Sequence, residues 1–428
     1  MENFKNKLIE NINNSPHFDS PTDVKISLNQ LSIHWAGLAF VLTLRDPNKY
    51  FKKIDNFYFY YSKRKNATDD SKIDEMQLEK FTQIVQQTIN QNEMLVPKEI
   101  DEASWDFNVF HKKENQEEIV ELILRITKKC NQDCYFCFAD LNNEVYSFNA
   151  VKETFNALRN LPVLKEKILS QYRIKISGGE PSIHPQFWEI IDYFYQQEIH
   201  VEIQTNAVYF AKVDFCEKIK YYPKLKFFIS FHSHIEKAYN SITETKNQYK
   251  KAITGIQNII KYSKDEIAIN FVFTVENINT FSQYVNFIYE TFEFKKHKEV
   301  KLHISILSRI ENENIEKQIK YTEVINEINR AIPIFKKTKM SVKSISGSDC
   351  EIPLCVSQNL QTDLLFTQGI YKNISERTLF EISNTKFETC KKCVYDKNCP
   401  GIQKAYLTKF GPSEFTPVDK DLLKRMTS

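Results

Sequence analysis

Glycine is scarce in this chain: 428 residues contain eight. Two of those eight stand side by side as Gly178-Gly179, and a chain so sparing with glycine is not expected to use an adjacent pair as filler. Long apolar runs are also missing. The most apolar short stretch, Trp35 to Leu42, is far below the roughly 18 residues that span a bilayer. The N-terminus, Met-Glu-Asn-Phe-Lys-Asn-Lys, has no apolar signal core. The expected compartment is the cytoplasm, with no membrane partner. Neither sign of charge dominates: Lys+Arg number 58 and Asp+Glu 55, for a net charge of +3. No concentrated basic stripe is evident, so no nucleic-acid partner is expected. Lys63-Arg64-Lys65 reads as a solvated loop. Internal repeats and low-complexity tracts are absent.

What is present is enough hydrophobic material, 42%, for two or three domains with a sizeable core. Aromatics at 13% read as packed core. Nine cysteines without a secretory signal point to metal rather than to disulfides.

Residues 23–62 read as strands. Ile33, Trp35, Leu38, Phe40 and Leu42 form one half-buried run, and Phe57 to Tyr61 form another, with a turn at Asp46-Pro47-Asn48. Ser71-x-x-Asp74 resembles a capping box, followed by Leu78, Phe81, Val85 and Ile89 at helical spacing. The charged stretch His111 to Glu118 closes this region.

From residue 119 the rhythm changes. Strands are expected at 119–127, 172–177, 200–205, 225–231, 266–275 and 300–306. Helices are expected near 148–160, 186–198, 211–220, 247–263 and 280–292, and a longer one over about 314–332 ending at Pro333. Such alternation implies an α/β fold with a parallel sheet and helices outside, and six repeats fit a partial (β/α)6 TIM-like barrel. We expect an N-terminal α+β domain at 1–115, the barrel at 116–340 and a C-terminal Cys-rich domain at 341–428. Barrels of this kind place their chemistry at the carboxyl ends of the strands.

Cys130, Cys134 and Cys137 follow the first expected barrel strand in the spacing C-x3-C-x2-C. Three thiolates on one short loop can hold three irons of a four-iron cluster and leave the fourth open. Ser177-Gly178-Gly179-Glu180-Pro181 follows the next strand. The glycines let backbone approach a ligand closely, since no Cβ intrudes. Gln204-Thr205-Asn206 ends the third strand and Ser230 the fourth, and Asn277 falls just past the fifth. His232 and His234 stand near Ser230, where they read as held loop residues, substrate contacts or proton carriers. Cys216 reads as a buried small hydrophobe.

The cysteine triplet with the Gly-Gly-Glu-Pro turn resembles the radical S-adenosylmethionine (SAM) superfamily, over about 118–310. The resemblance implies a 4Fe–4S cluster on Cys130, Cys134 and Cys137, with SAM chelating the open iron. One electron then cleaves SAM to a 5′-deoxyadenosyl radical that takes a substrate hydrogen. It implies that Phe136 packs near adenine and that Gly178 and Gly179 meet the methionine amino group. Glu180 either bonds that group or holds the turn. Thr205, Asn206 and Ser230 would contact SAM, and an electron donor such as flavodoxin or ferredoxin would be a partner.

Cys390-x2-Cys393-x5-Cys399, followed by Tyr406, Gly411 and Pro417, resembles SPASM/twitch extensions that carry auxiliary clusters. Cys355 is the expected distant fourth ligand, with Cys350 as the alternative. The full pattern has a further cysteine where Gln403 stands. Six cysteines lie outside the triplet, too few for two more clusters with four thiolates each. One auxiliary 4Fe–4S cluster is expected; a structural zinc site could use the same four ligands. The expected function is modification of a peptide, as by a maturase that crosslinks or epimerises residues. The alternatives are a small-molecule or cofactor-building enzyme and a zinc-stabilised binding protein.

Overall fold

The computed structural model describes residues 10–11, 23–27, 30–35, 38–43, 52–54, 57–63, 80, 83–84, 87, 107–114, 117–137, 139, 141–159, 167–294, 296, 300–307, 316–340, 342–343, 352–357, 384–396, 399 and 401–419. The chain folds as two compact units, residues 1–109 with 146–168, and residues 110–145 with 169–428.

The first unit holds a five-stranded antiparallel sheet in the order β1-β2-β3-β5-β4. Its strands are β1 (Asp23–Ser27), β2 (Gln30–Trp35), β3 (Leu38–Thr43), β4 (Lys52–Ile54) and β5 (Phe57–Lys63). The aromatic run at 57–61 thus forms a strand, as its β-propensity suggests. The helix expected from the capping box falls mostly outside the described residues; Lys80, Gln83, Ile84 and Gln87 are helical. Helix α1 (Phe148–Arg159) also belongs to this unit.

The second unit is built on a sheet in strict sequence order. Strand β6 (Phe107–Glu114) lies at one end. It is followed by β7 (Glu117–Arg125), β8 (Tyr172–Ser177), β9 (His200–Thr205), β10 (Lys226–Ser230), β11 (Ile267–Val272), β12 (Val300–Ser305) and β13 (Val342–Lys343). Each neighbouring pair from β7 to β13 is parallel. Helices fill the crossovers: α2 (Phe187–Tyr195), the short α3 (Val213–Cys216), α4 (Glu236–Thr243), α5 (Tyr249–Tyr262), α6 (Phe281–Thr291) and α7 (Tyr321–Thr338). This is the partial TIM-like barrel that the rhythm of the sequence implies. The C-terminal region adds α8 (Leu354–Ser357), a two-stranded pair of β14 (Asn384–Thr385) and β15 (Ile402–Gln403), and α9 (Lys404–Phe410).

The core sits on one face of the sheet. Ile174 and Ile176 of β8, Val201 and Ile203 of β9 and Phe227 and Ile229 of β10 are buried, as are Ile190 and Phe194 of α2 and Ile256 and Ile259 of α5. The alternate residues, Lys175, Glu202, Gln204, Phe228 and Ser230, are only half-buried. Helices cover the first face, so the second lines the barrel interior.

Two helices differ from the sequence expectation: the one expected near 211–220 is only the short α3 continued by a 3-10 turn at Glu217–Tyr221, and the last one is shifted. The last starts at Tyr321 and runs through Pro333 to Thr338 instead of ending at Pro333. A proline inside a helix loses one backbone bond and costs about 3 kcal/mol. Ile328, Ala331, Ile332 and Phe335 carry the buried stripe across that point, so packing outweighs the local break.

Candidate functional site: a cysteine loop at the barrel mouth

Because β7 to β11 are parallel, the segments that follow them emerge at one edge. That edge collects the cysteine loop after β7, Gly178-Gly179 after β8, Asn206 after β9, His232 after β10 and Glu276 after β11.

The cysteine loop is tied to its neighbours at several points. The Asn206 side-chain amide donates to the Asn131 side chain at 2.7 Å, and the Gln248 side chain donates to the Asn131 carbonyl at 2.6 Å. The Gln132 amide donates to the Tyr239 hydroxyl at 2.7 Å, and the Asp133 N–H donates to the Thr243 carbonyl at 3.0 Å. Within the loop, the Cys137 N–H donates to the Cys134 carbonyl at 2.8 Å. Further along, the Tyr135 hydroxyl donates to Glu276 at 2.9 Å.

The two glycines have close backbone neighbours within the chain itself. A Cβ on Gly178 would stand 2.3 Å from the Thr127 carbonyl oxygen, and one on Gly179 would stand 2.3 Å from the Lys129 oxygen and 2.9 Å from the Cys130 nitrogen. Gly178 also has φ near +147°, which disfavours any side chain. Gly179 N–H donates to Thr127 and Glu180 N–H to Lys129. The turn is therefore the seat of the cysteine loop: the close approach it permits is backbone against backbone.

Glu180 is buried, with both carboxylate oxygens occupied. One accepts from Ser182 N–H (3.0 Å), Ser182 Oγ (2.5 Å) and Thr205 Oγ1 (2.6 Å); the other accepts from Asn206 N–H at 2.7 Å. Thr205 Oγ1 in turn accepts from Ala207 N–H at 3.0 Å. Of the two roles expected for Glu180, holding the turn is the one this geometry performs. Asn277 is likewise engaged, donating to the carbonyls of His232 and Val272 at 2.7 and 2.8 Å. Ser230 stands at the end of β10 on the interior face, beside Asn270 in register.

The thiols are held neutral in the bare protein. Burial, and then the nearby Glu180, push Cys130 up to about 12. Burial and the other two thiols raise Cys134, and burial raises Cys137. Metal ligation requires thiolates, so loading this loop releases protons. Phe136 packs edge-on against the ring of His232, centroids 5.3 Å apart. Burial lowers His232 to about 4, and its Nδ1 accepts from Val272 N–H at 3.2 Å. His232 is thus a neutral, fixed ring, unsuited to proton transfer near neutral pH. His234 is also lowered by burial. Cys216 is buried and pushed up to about 12, as an inert core thiol would be.

In the C-terminal region, Cys355 sits on α8, Cys390 and Cys393 on the turn at 388–393, and Cys399 just ahead of Gly401. Burial raises Cys355, and so does the proximity of Cys399, Cys393 and Cys390. Cys390, Cys393 and Cys399 thus lie in the neighbourhood of Cys355. Cys350 lies outside the described residues. Gly401 has φ near +88°, and a Cβ there would meet the Thr385 carbonyl at 2.5 Å. Among the described residues, no three His, Cys, Asp or Glu side chains converge tightly enough to clasp a single metal ion. No described helix is long and apolar enough to cross a membrane.

Sequence reasoning missed part of the site. Glu121, Lys175 and Glu202 form an ion-paired row on the interior face, Lys175 standing 2.9 Å from Glu121 and 3.8 Å from Glu202. Asn270 accepts from Ser305 Oγ at 2.8 Å and lies 3.0 Å from His303 Nδ1. The available signal was polar alternation in Tyr-Arg-Ile-Lys-Ile-Ser and His-Val-Glu-Ile-Gln-Thr. Parallel strands covered on both faces are apolar throughout, so alternation marks an uncovered face.

Residues 124–288 match the sequence model of the Radical SAM superfamily. That stretch is a radical SAM domain. Among curated relatives, a probable GTP 3′,8-cyclase of Sulfurisphaera tokodaii is 28% identical over 177 residues, covering 40% of this chain and 53% of that one. The mycofactocin maturase MftC of Mycobacterium tuberculosis is 28% identical over 90 residues, covering 20% of this chain and 21% of that one. The chain thus spans about half the length of the cyclase and less of the maturase. Among solved structures, Streptococcus suis SuiB bound to S-adenosylmethionine aligns over 81% of this chain and 83% of its own, with 14% identity and a TM-score of 0.46.

Proposed function

We propose that this chain is a radical SAM enzyme acting on a peptide, with the domain plan 1–115, 116–340 and 341–428. The observation that carries the first half is the C-x3-C-x2-C loop seated on Gly178-Gly179 at the carboxyl edge of a parallel barrel. The donor set suits the group. Three soft thiols on one loop match a cluster that takes each thiolate on a different iron.

In this reading Cys130, Cys134 and Cys137 hold a 4Fe–4S cluster. Bound with SAM, it supplies a one-electron cleavage that yields a hydrogen-abstracting carbon radical. The chain's own residues do the positioning. Glu180, Thr205 and Asn206 hold the turn and the loop in register. Phe136 and His232 form an apolar, non-titrating wall at the mouth. Ser230, Gln204 and Phe228 line the interior below it. Cys355, Cys390, Cys393 and Cys399 would hold an auxiliary cluster, which would supply electron relay or a wall for the substrate. A flavodoxin or ferredoxin supplies the electron.

A peptide is favoured by the separate antiparallel sheet of the first unit, to whose edge a chain can add as a strand, and by the likeness to a maturase. The second reading, a small-molecule substrate, is favoured by the likeness to GTP 3′,8-cyclases. Anaerobic incubation with SAM and a reductant, with peptide extracts in one arm and metabolite extracts in the other, separates them by mass spectrometry. A modified peptide supports the proposal; turnover of a metabolite with peptides untouched overturns the peptide half. Colourless protein with zinc and no sulfide overturns both halves.

A further inference from the structure

The barrel's cysteine loop and the stretch 406–414 that follows the C-terminal cysteines are both tied to one short segment, residues 316–320, and its immediate continuation. On the barrel side, Lys317 donates to Glu276 Oε1 at 2.9 Å, and its ammonium lies 5.1 Å from the Tyr135 ring centroid. The Tyr135 hydroxyl donates to the other oxygen of Glu276 at 2.9 Å. Tyr135 directly follows Cys134. One carboxylate thus joins the second half of the cysteine loop to the segment.

On the C-terminal side, Lys409 of α9 donates to the carbonyls of Glu316 (2.9 Å) and Gln318 (3.0 Å). Just beyond the segment, the Tyr321 N–H donates to the Tyr406 hydroxyl at 2.8 Å, and the two rings stack with centroids 4.1 Å apart. Glu414 accepts from both Thr322 N–H (2.8 Å) and Thr322 Oγ1 (2.6 Å). Gln318 and Ile319, between Lys317 and Tyr321, are buried. The segment is fastened at both ends and has little freedom to absorb movement at either.

The ties on the cysteine loop divide accordingly. Asn131, Gln132 and Asp133 are held by Asn206 just after β9, by α4 and by Gln248 just before α5, whereas Tyr135 reaches across to Glu276. We propose that residues 316–320 are a strap through which docking of the C-terminal region orders the Tyr135–Cys137 half of the cysteine loop, with Glu276 as its positioning residue. The proposal deepens the function above and rests on it for its consequence: a chain whose C-terminal region has not docked presents a loosened triplet to iron.

The test needs no bound cluster. Amide hydrogen exchange is followed in the full-length metal-free protein for wild type, Glu276→Ala, Lys409→Ala and the double variant. Each single change is expected to speed exchange at Tyr135–Cys137 about tenfold while residues 131–133 stay as in wild type. The double variant is expected to exchange no faster than Glu276→Ala, because the two residues act through one path. Lys317→Arg, which keeps a donor for Glu276, is expected to preserve protection. Lys409→Ala without effect at the loop, multiplying effects in the double variant, or loosening spread evenly over the chain would each overturn the strap. If Glu276→Ala does not fold, Tyr135→Phe removes the same tie by deleting one hydroxyl, and the same criteria apply. Failure of the functional reading shows instead as absent iron and uncleaved SAM, neither of which alters the exchange result.

Discussion

The hydroxyl of Thr205 donates to the buried carboxylate of Glu180 across 2.6 Å while accepting from the Ala207 backbone at 3.0 Å. One small side chain therefore joins the end of β9 to the turn after β8. Thr205→Val keeps the shape but removes both bonds, and unpaired buried polar groups cost about 1–3 kcal/mol each. Urea unfolding is expected to show a loss of about 2–4 kcal/mol for Thr205→Val. Thr205→Ser is expected to recover most of it.

Gly179 offers a sharper test of how the cysteine loop is seated. Gly179→Ala drives a methyl into the Lys129 carbonyl at 2.3 Å, and that oxygen belongs to backbone, which cannot swing aside. The loop must shift. Iron at the barrel triplet is expected to fall several-fold with far-UV circular dichroism unchanged, whereas the C-terminal centre keeps its iron. Full iron in this variant would show that the turn does not fix the loop.

How much of this was legible in the sequence differs by feature. The six barrel strands were readable because apolar runs alternate with amphipathic helices, and the cysteine spacing marked both thiol sets. Pro333 misled, because a local rule ends a helix where buried Ile328, Ala331, Ile332 and Phe335 in fact carry it on. Gly178-Gly179 were recognisable as special, but their backbone neighbours, Thr127 for the first and Lys129–Cys130 for the second, are distant in sequence. The Glu276–Lys317 pair joins residues 41 positions apart that carry no local pattern, so only the folded chain reveals it.

His232 makes stability depend on pH. Burial holds it near 4 in the folded chain, against an ordinary value of about 6.5 when unfolded. Its folded value is depressed, so the unfolded chain binds more protons as pH falls from 6.5 toward 4, and stability is lost across that window. Between pH 7 and pH 5 the loss attributable to this ring is about 2 kcal/mol. The difference between wild type and His232→Gln in urea unfolding is expected to shrink by that amount. A pH-independent difference would mean the ring is not held neutral.

The interior row Glu121–Lys175–Glu202 predicts a charge effect. Lys175→Met leaves two carboxylates facing each other across the site, and breaking a largely buried pair in this way costs about 3 kcal/mol. The loss is expected at pH 7 in urea unfolding and is expected to be relieved when Glu121→Gln is added. An equally unstable double variant would show that Lys175 matters for packing rather than charge.

The most direct measurement compares 5′-deoxyadenosine formed from SAM by the anaerobically reduced wild type and by the variant with Cys130, Cys134 and Cys137 all changed to Ala. The wild type is expected to form it. The triple variant is expected to form none while retaining the iron and visible absorbance of its C-terminal centre. Continued formation of 5′-deoxyadenosine without those three thiols would contradict the account.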